Sequence, residues 1–256
     1  MSTPSAKTLE KGLALVEEIG NSPEGMTAGE LARSIGIHRT SVYRYVHALL
    51  QAGYIRNNGD GRYELGTKIL ELGSQLLRRM PLYDIAHPSL VKLSAETKKT
   101  VHLCVLDDYD VIYIDKVENQ QSLPMLSRIG SRAPAYCTSV GKVLLSGLAT
   151  DQLVSLLAKG TALASRTPMT ITDPILLLEE IKVTTERGYA IDNGEHEEGI
   201  KCFSAPIRGY GGDYVAAISI TGLKRDFDDP RETETLIATL RKTAAEISRT
   251  FGHVEH

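Results

Sequence analysis

The segment Thr27–Ile55, TAGELARSIGIHRTSVYRYVHALLQAGYI, contains two short amphipathic patterns separated by Gly36. Thr27 and Glu30 have the spacing of a capping box, in which two side chains satisfy free amides at a helix start. The capping box predicts one short helix, and the apolar periodicity after Gly36 predicts another. Two helices joined by a short glycine-containing turn are typical of a helix-turn-helix motif.

The second of these helices has two chemically different faces. Its apolar residues follow helical spacing and form one stripe: Val42, Tyr45, Val46, Leu49 and Leu50. Arg39 lies in the first turn, where a positive charge opposes the helix dipole, so an external anion would compensate it. Arginine can bridge a guanine base, and threonine or tyrosine hydroxyls can contact phosphates. The polar face therefore predicts a DNA recognition helix.

A basic hairpin is predicted directly after that helix. The stretch AGYIRNNGDGRYEL, residues 52–65, places Arg56 and Arg62 on either side of Asn-Gly and Asp-Gly, which are strong turn signals. A hairpin in this position is the wing of a winged helix. The predicted DNA-binding residues are Thr27, His38, Arg39, Thr40, Tyr43, Arg44, His47, Arg56 and Arg62. The alternative is a small helical cap with a solvated charged face.

The charge distribution favours the DNA-binding interpretation. The chain has a formal net charge of −3, yet residues 33–63 contain five arginines and Asp60 as their one acidic residue. A basic island in an otherwise acidic chain indicates a local anionic partner.

Length and composition predict a cytoplasmic protein of one large or two modest domains. The chain has 256 residues, and no apolar run approaches the roughly 20 residues that span a bilayer. The N-terminus lacks the apolar core of a signal peptide. Cys104, Cys137 and Cys202 are far apart with no CxxC pair, so we expect neither a disulfide nor a zinc site. No metal, cofactor or membrane partner is predicted.

A helix over residues 66–80 is predicted to follow the wing. Leu65, Ile69, Leu72 and Leu76 form one apolar stripe, and Leu70, Leu77 and Met80 extend it to a second side. A helix that is apolar on two sides is buried on two sides, which favours a dimer contact. The alternative is a helix sandwiched within one chain. The predicted domains are 1–65 for the winged helix, 66–81 for the linker and dimerisation helix, and 82–256 for the second domain.

The remainder predicts an α+β domain with an antiparallel sheet flanked by helices. Strands are expected at 101–107, 111–118, 123–130, 201–209 and 214–222. Helices are expected at 85–100, 140–147, 151–158, 173–187 and 230–251.

One helix start in this domain is a candidate anion site. In APAYCTSVGKVLLSGL, residues 133–148, a loop leads into a helix that begins near Val140, and backbone amides are free at a helix start. Gly141 would allow a ligand to approach closely. The segment is not a Walker A loop, because Tyr136 occupies a required glycine position and Val143 follows Lys142. A carboxylate is therefore a better candidate than a nucleotide phosphate, and an ordinary capped helix is the alternative.

Five segments in order resemble the IclR family of bacterial transcriptional regulators along nearly the whole chain. They are IHRTSVYRYVHALLQAGYI, YELGTKILELG, SRIGSRAPAYCTSVGKVLL, RGYAIDNGEHEEGIKCFSAPI and AAISITG. Within the family, ETKKTVHLCVLDDYDVIYIDKVE and MLSRIG are most similar to repressors of sugar-acid breakdown of the 2-keto-3-deoxygluconate type.

The resemblance implies a C-terminal GAF-like domain that binds a small carboxylate effector. It implies effector contacts with the amides of Ser139 and Val140 and with Asp192, Cys202, Ser219 and Thr221. His102, Met125 and Arg128 are candidates to line a wider pocket, although Arg128 is equally suited to the surface. Asp192 would repel a carboxylate and would accept hydrogen bonds from hydroxyls, as a sugar acid requires. The resemblance also implies a homodimer, with a dimer of dimers as an extension.

The predicted function is a DNA-binding regulator, a repressor, whose operator binding is controlled by 2-keto-3-deoxygluconate, pyruvate or a similar carboxylate. One alternative is a constitutive DNA-binding protein with a structural C-terminal domain. Another is an enzyme with Cys202 or Cys137 as nucleophile, but no catalytic arrangement is found and no catalytic residue is predicted. The acidic residues Glu195, Glu197 and Glu198 around His196 are interpreted as a solvated loop rather than a metal cluster.

Overall fold

The computed structural model describes residues 4–119, 125, 127–158 and 163–253. The chain divides into two compact units, Met1–Met80 and Pro81–His256. No helix within the described ranges is long and apolar enough to cross a membrane.

The first unit is the predicted helix-turn-helix with a wing. Its elements are α1 (Pro4–Asn21), β1 (Met26–Thr27), α2 (Ala28–Ser34), α3 (Arg39–Gln51), β2 (Ile55–Asn57), β3 (Arg62–Leu65) and α4 (Thr67–Arg78). The β2–β3 hairpin is confirmed, and Gly59 and Gly61 in its turn have positive φ angles of 95° and 78°. The two-residue strand β1 was not predicted, and it pairs with β3 to complete a three-stranded sheet.

The apolar stripes of the three helices and the hairpin share one core. Its fully buried members include Leu15, Ile19, Leu31, Val42, Val46 and Ile55. The predicted capping box fixes the start of α2, because the Glu30 amide donates to Thr27 Oγ1 at 3.3 Å and the Thr27 amide donates to Glu30 Oε2 at 2.8 Å. The stripe on α3 therefore turns inward and leaves the opposite face of α3 in solvent.

The second unit has the predicted α+β architecture. Its helices are α5 (Pro81–Thr97), α6 (Ser139–Ser146), α7 (Thr150–Ala158), α8 (Pro174–Arg187) and α9 (Pro230–Thr250). Its strands are β4 (Thr100–Asp107), β5 (Asp110–Val117), β6 (Arg132–Pro134), β7 (Ala190–Asp192), β8 (Ile200–Arg208) and β9 (Tyr214–Leu223). The strands form one antiparallel sheet in the order β6-β5-β4-β9-β8-β7.

The strand predicted at 123–130 is wrong for the part of it that the structure describes, since Met125 and residues 127–130 are not in a strand. Residues 123, 124 and 126 lie outside the described residues. The Ser131 amide donates to the Arg128 carbonyl at 3.0 Å, and Gly130 has a φ of 85°, so the chain turns here. The true strand, β6, begins after that turn. The short strand β7 was also not predicted.

The two faces of the sheet have different roles. The face formed by Val101, Leu103, Phe203, Ala205, Ile218 and Ile220 is apolar and buried, and helices α5 and α9 pack against the sheet. The other face is covered by α6 and α8 through a cluster that includes Cys104, Val140, Leu144, Leu177 and Ala217. Polar side chains occupy the rest of that second face, and there they form the candidate site described below.

Candidate functional site

The recognition helix α3 presents an exposed polar face. Six of the predicted DNA-binding side chains are exposed: His38, Arg39, Thr40, Tyr43, Arg44 and His47. The guanidinium of Arg39 lies 5.8 Å from the ring centre of Tyr43, and that of Arg44 lies 5.3 Å from the ring centre of Tyr45. Within the described chain neither arginine has an acidic partner. Both positive charges therefore remain available to an external anion.

The other three predicted DNA-binding residues have roles inside the unit. Arg62 donates to the Gly25 carbonyl at 3.0 Å and pairs with Glu30 at 3.1 Å, so it joins β3 to α2. The Thr27 hydroxyl belongs to the capping box. Arg56 pairs with Glu64 across the hairpin at 2.8 Å but remains largely exposed. Thus the wing carries less free charge than its arginines suggest.

The second unit encloses a cavity of about 440 Å³. Nearly all of the predicted effector-binding residues line it: His102, Met125, Ser139, Val140, Asp192, Cys202, Ser219 and Thr221. The structure does not bring Arg128 to the cavity, because its side chain is exposed and its backbone forms the turn with Ser131.

Strand register places these polar residues in two rows. Thr221 on β9 is paired with Thr100 on β4 and with Cys202 on β8, and Cys202 is paired with Asp192 on β7. Directly paired residues of an antiparallel sheet share a face, so these four residues form one row across four strands.

The second row crosses three strands. Ser219 on β9 is paired with His102 on one side and with Ser204 on the other. Ser204 was missed at the sequence level, although its position two residues after Cys202 places it on the same face. Its hydroxyl donates to Ser139 Oγ at 2.6 Å and so ties the sheet to the start of α6.

The start of α6 opens on the same cavity. Thr138 caps the helix by accepting a hydrogen bond from the Gly141 amide at 3.2 Å. The amides of Ser139 and Val140 come before the Gly141 amide at the start of α6, and they have no acceptor among the described residues. Such amides at a helix start form an anion site.

Gly141 has a different role from the one predicted. A Cβ atom at this position would lie 2.1 Å from the carbonyl oxygen of Ala135. The missing side chain therefore allows α6 to pack on the chain's own backbone, rather than allowing a ligand to approach.

Asp192 is a buried carboxyl group at the edge of the cavity. Its Oδ1 accepts the amide of Glu195 at 2.7 Å and the amide of His196 at 3.4 Å. Burial raises the pKa of Asp192 to about 6, and the two amides and the Lys142 charge oppose that effect. Asp192 can thus accept hydrogen bonds when ionised and donate one when protonated.

A buried ion pair lies behind Asp192. Lys142 of α6 is 1% exposed, and its Nζ lies 2.6 Å from Oε1 of Glu195. The sequence suggested that Glu195 lies in a solvated loop. That prediction is wrong for Glu195, because its side chain is buried. Its carbonyl also accepts the Thr170 hydroxyl at 2.7 Å, so the loop after β7 is joined to both α6 and residue 170.

His102 lines the cavity with an uncharged imidazole. Burial lowers the pKa of His102 to about 3. Its Nε2 lies 2.8 Å from Ser127 Oγ, and its Nδ1 lies 3.2 Å from Ser219 Oγ. Tyr113 packs edge-on against the imidazole, with ring centres 5.1 Å apart. Both ring nitrogens have hydroxyl partners, so the imidazole is held in one orientation.

The cysteines lack the properties of catalytic nucleophiles. Burial raises the pKa of Cys137 to about 12 and also raises the pKa of Cys202, so both stay protonated at neutral pH. A thiol is a poor nucleophile compared with a thiolate. Across the residues that the structure describes, no three His, Cys, Asp or Glu side chains are grouped to hold a metal ion.

The sequence also missed several residues of the cavity wall: Tyr113, Ser127, Arg132, Thr138, Arg166, His196, Glu197 and Ile200. Tyr113 lies within the predicted strand 111–118, and Thr138 lies just before the predicted helix 140–147. The sequence could therefore have indicated both as cavity residues. Arg166 follows residues 159–162, which are not described, in a segment that has no periodic pattern. No local signal assigned it to the site.

Together, a winged helix with an exposed cationic face and a second unit whose cavity is lined by both polar and apolar groups are typical of a DNA-binding regulator. Residues 8–59 match the family model described as the IclR helix-turn-helix domain. Residues 74–249 match the model described as the bacterial transcriptional regulator IclR C-terminal domain. The chain belongs to the IclR family of DNA-binding transcriptional regulators, and its two matched domains are not those of an enzyme.

Curated relatives and solved structures agree over nearly the full length. The chain is 33% identical over 254 residues to the HTH-type transcriptional regulator KdgR of Escherichia coli K12, covering 98% of this chain and 95% of that protein. It is 33% identical over 253 residues to the acetate operon repressor of Salmonella typhimurium, covering 98% and 92%. It is similar to the crystal structure of Thermotoga maritima IclR, with 37% identity and a TM-score of 0.79, covering 97% and 100%.

The raised pKa of Asp192 makes stability depend on pH. A carboxyl whose folded pKa exceeds its unfolded value stabilises the fold when protonated, and that stabilisation is lost as the pH rises through about 6. We expect the wild type to lose about 1 to 2 kcal/mol of unfolding free energy relative to Asp192→Asn between pH 5 and pH 8. Denaturant unfolding at both pH values measures this. Asp228→Asn, at an exposed position, is the control. Parallel pH profiles for wild type and Asp192→Asn would contradict the assignment.

Proposed function

We propose that this protein is a repressor whose operator binding is controlled by a small carboxylate, such as a keto sugar acid, bound in the C-terminal domain. The observation that carries the proposal is a cavity whose wall has two kinds of polar group. Two free helix-start amides, of Ser139 and Val140, lie on that wall together with a buried carboxyl, Asp192. A hydroxylated carboxylate has groups that complement both.

The DNA-binding half of the proposal is supported by the free charge on α3. The proposed base and phosphate contacts come from His38, Arg39, Thr40, Tyr43, Arg44 and His47. Arg56 would contact the DNA backbone after exchanging its Glu64 partner for a phosphate. We assign Thr27 and Arg62 a supporting role, because both contact Glu30 and so hold α2 and the wing together.

The effector half is supported by the cost of the buried polar rows. Polar groups are expensive to bury without partners, and Nδ1 of His196, a residue of the cavity wall, is buried with no hydrogen-bond partner among the described residues. A structural domain with no ligand would more simply be apolar there. One similar protein is named as the repressor of an acetate operon, and a small organic acid as ligand of this chain agrees with that name. An effector can change operator affinity only through different affinities for two arrangements of the protein.

A homodimer is part of the proposal. On α4, the side chains of Leu70 and Leu76 are 72% and 62% exposed, and Leu72 is also exposed. The side chain of Leu77 lies outside the described residues. A second copy would cover these leucines, and a two-fold protein matches an operator with paired half-sites. We also propose that two such dimers associate into a dimer of dimers. The proposed location of the protein is the cytoplasm.

The recognition helix is tested by Arg44→Ala. Loss of one base contact is expected to weaken operator binding by about tenfold to a hundredfold, since such contacts contribute about 1–3 kcal/mol. Electrophoretic mobility shifts with the operator at fixed salt measure this. Arg231→Ala removes the same charge from an exposed position on α9 and should leave operator affinity unchanged. Equal losses for both variants would contradict a specific role for Arg44.

The effector class is tested by thermal unfolding with 2-keto-3-deoxygluconate, pyruvate and glyoxylate. At 100 times Kd, a bound acid should raise Tm by about 5 to 10 °C. Asp192→Ala should abolish the shift for the hydroxylated acid, and Asp228→Ala should retain it. If no acid shifts Tm while operator binding persists, the C-terminal domain is structural or binds a different ligand class.

The dimer contact is tested by Leu70→Glu combined with Leu76→Glu. Placing two charges in the proposed interface should convert a dimer to a monomer at micromolar concentration and weaken operator binding in parallel. Sedimentation velocity measures the mass. Ile175→Glu, at an exposed apolar position on α8, should retain the dimer. A wild type that sediments as a monomer would reject the interface.

A further inference from the structure

Two arginines line the wall of the effector cavity, and they differ in whether an acidic side chain neutralises their charge. Arg132 is neutralised by Asp107 and by Asp110, which lies 3.6 Å away. Arg166 has an exposed side chain and no acidic partner among the described residues. Of the two, only Arg166 therefore keeps an uncompensated positive charge at the cavity.

The backbone around Arg166 is held in place on both sides of the cavity. Before Arg166, the carbonyl of Ala164 accepts a hydrogen bond from the hydroxyl of Tyr136 at 2.7 Å. Tyr136 lies three residues before Ser139 in the chain. After Arg166, the Thr167 hydroxyl donates to the Gly194 carbonyl at 2.6 Å, beside Asp192. The Arg166 amide itself donates to Thr170 Oγ1 at 3.1 Å. Residues 164–170 thus bridge the start of α6 and the loop after β7.

Electrostatic effects place the guanidinium near the same two elements. Burial, and after it the charge of Arg166, lowers the pKa of His196 to about 4. The same charge opposes the effect of burial on the pKa of Cys137, which precedes α6. A cation here reinforces the positive end of α6, where the amides of Ser139 and Val140 are free.

We propose that Arg166 is the residue that selects a charged carboxylate effector, by pairing with the carboxylate seated on the amides of Ser139 and Val140. This inference rests on the proposed function and deepens it. The negative groups of the cavity wall, Asp192 and Glu197, would otherwise repel an anionic ligand. Arg166 would instead attract the carboxylate to the free amides of α6, which leaves the hydroxyl or keto groups to form hydrogen bonds with Asp192.

The test compares an acid with its uncharged amide. Pyruvate and pyruvamide differ in charge but little in shape, so their relative affinity reports recognition of the carboxylate. Binding to the full-length protein is measured by isothermal titration calorimetry for wild type, Arg166→Gln, Arg166→Lys and Arg231→Gln. Arg231→Gln is the matched control, because it removes an arginine from an exposed position on α9 outside the cavity wall.

Arg166→Gln should weaken pyruvate binding by about tenfold to a hundredfold, the range for a charge-assisted hydrogen bond. Its pyruvamide affinity should stay within about twofold, and Arg166→Lys should recover part of the loss. Arg231→Gln should keep the wild-type preference for the acid. Ligand-free Tm and operator affinity of Arg166→Gln should match wild type, since the side chain is exposed.

Two outcomes would overturn the proposed role of Arg166 and leave the proposed function in place. One is an unchanged pyruvate affinity in Arg166→Gln, and the other is an equal loss of affinity for the acid and the amide. A wild type that binds the operator but neither pyruvate nor 2-keto-3-deoxygluconate would instead remove the proposed effector class, and this inference with it.

Discussion

The antiparallel register of β4, β9, β8 and β7 is the constraint on which the second unit depends. Because paired residues share a face, one register brings Thr100, Thr221, Cys202 and Asp192 into a single row. A slip of one residue would move that row to the apolar face, under α5 and α9. The apolar residues of the same strands fix the register, so the hydrophobic core determines where the polar site lies.

Much of this arrangement follows from the sequence because periodicity reports which side of an element is buried. The stripe on α3 identified the exposed face with Arg39 and Arg44, and alternation on β9 placed Ser219 and Thr221 together. The capping box at Thr27 and the turn at Gly59 are local signals, and they identified the correct helix start and hairpin. The assignment of Asp192 and Cys202 needed the family resemblance, because nothing local distinguishes them from other polar residues.

What the sequence did not predict depends on contacts between distant segments. The pairing of Lys142 with Glu195 joins residues 53 positions apart, and it accompanies the burial of Glu195, which the sequence assigned to a solvated loop. The placement of Arg166 depends on hydrogen bonds to two other loops. Arg62 looked like a DNA contact because its partner, Glu30, lies 32 positions earlier in the chain. The segment at 123–130 has strand-like composition, but its described part turns at residues 128–131, and the Gly130 amide donates to the Tyr113 carbonyl of β5 at 2.7 Å without continuing a strand.

The close packing of Gly141 on Ala135 has an evolutionary consequence. Any side chain at position 141 would displace the start of α6, so the position of the Ser139 and Val140 amides depends on a glycine that does not face the sheet rows. Substitutions in those rows at Cys202 or Thr221 change other parts of the cavity wall and leave this packing contact in place. Under the proposed function, a lineage would exchange one organic acid for another by substitutions in the strands and retain the same amides for the carboxylate.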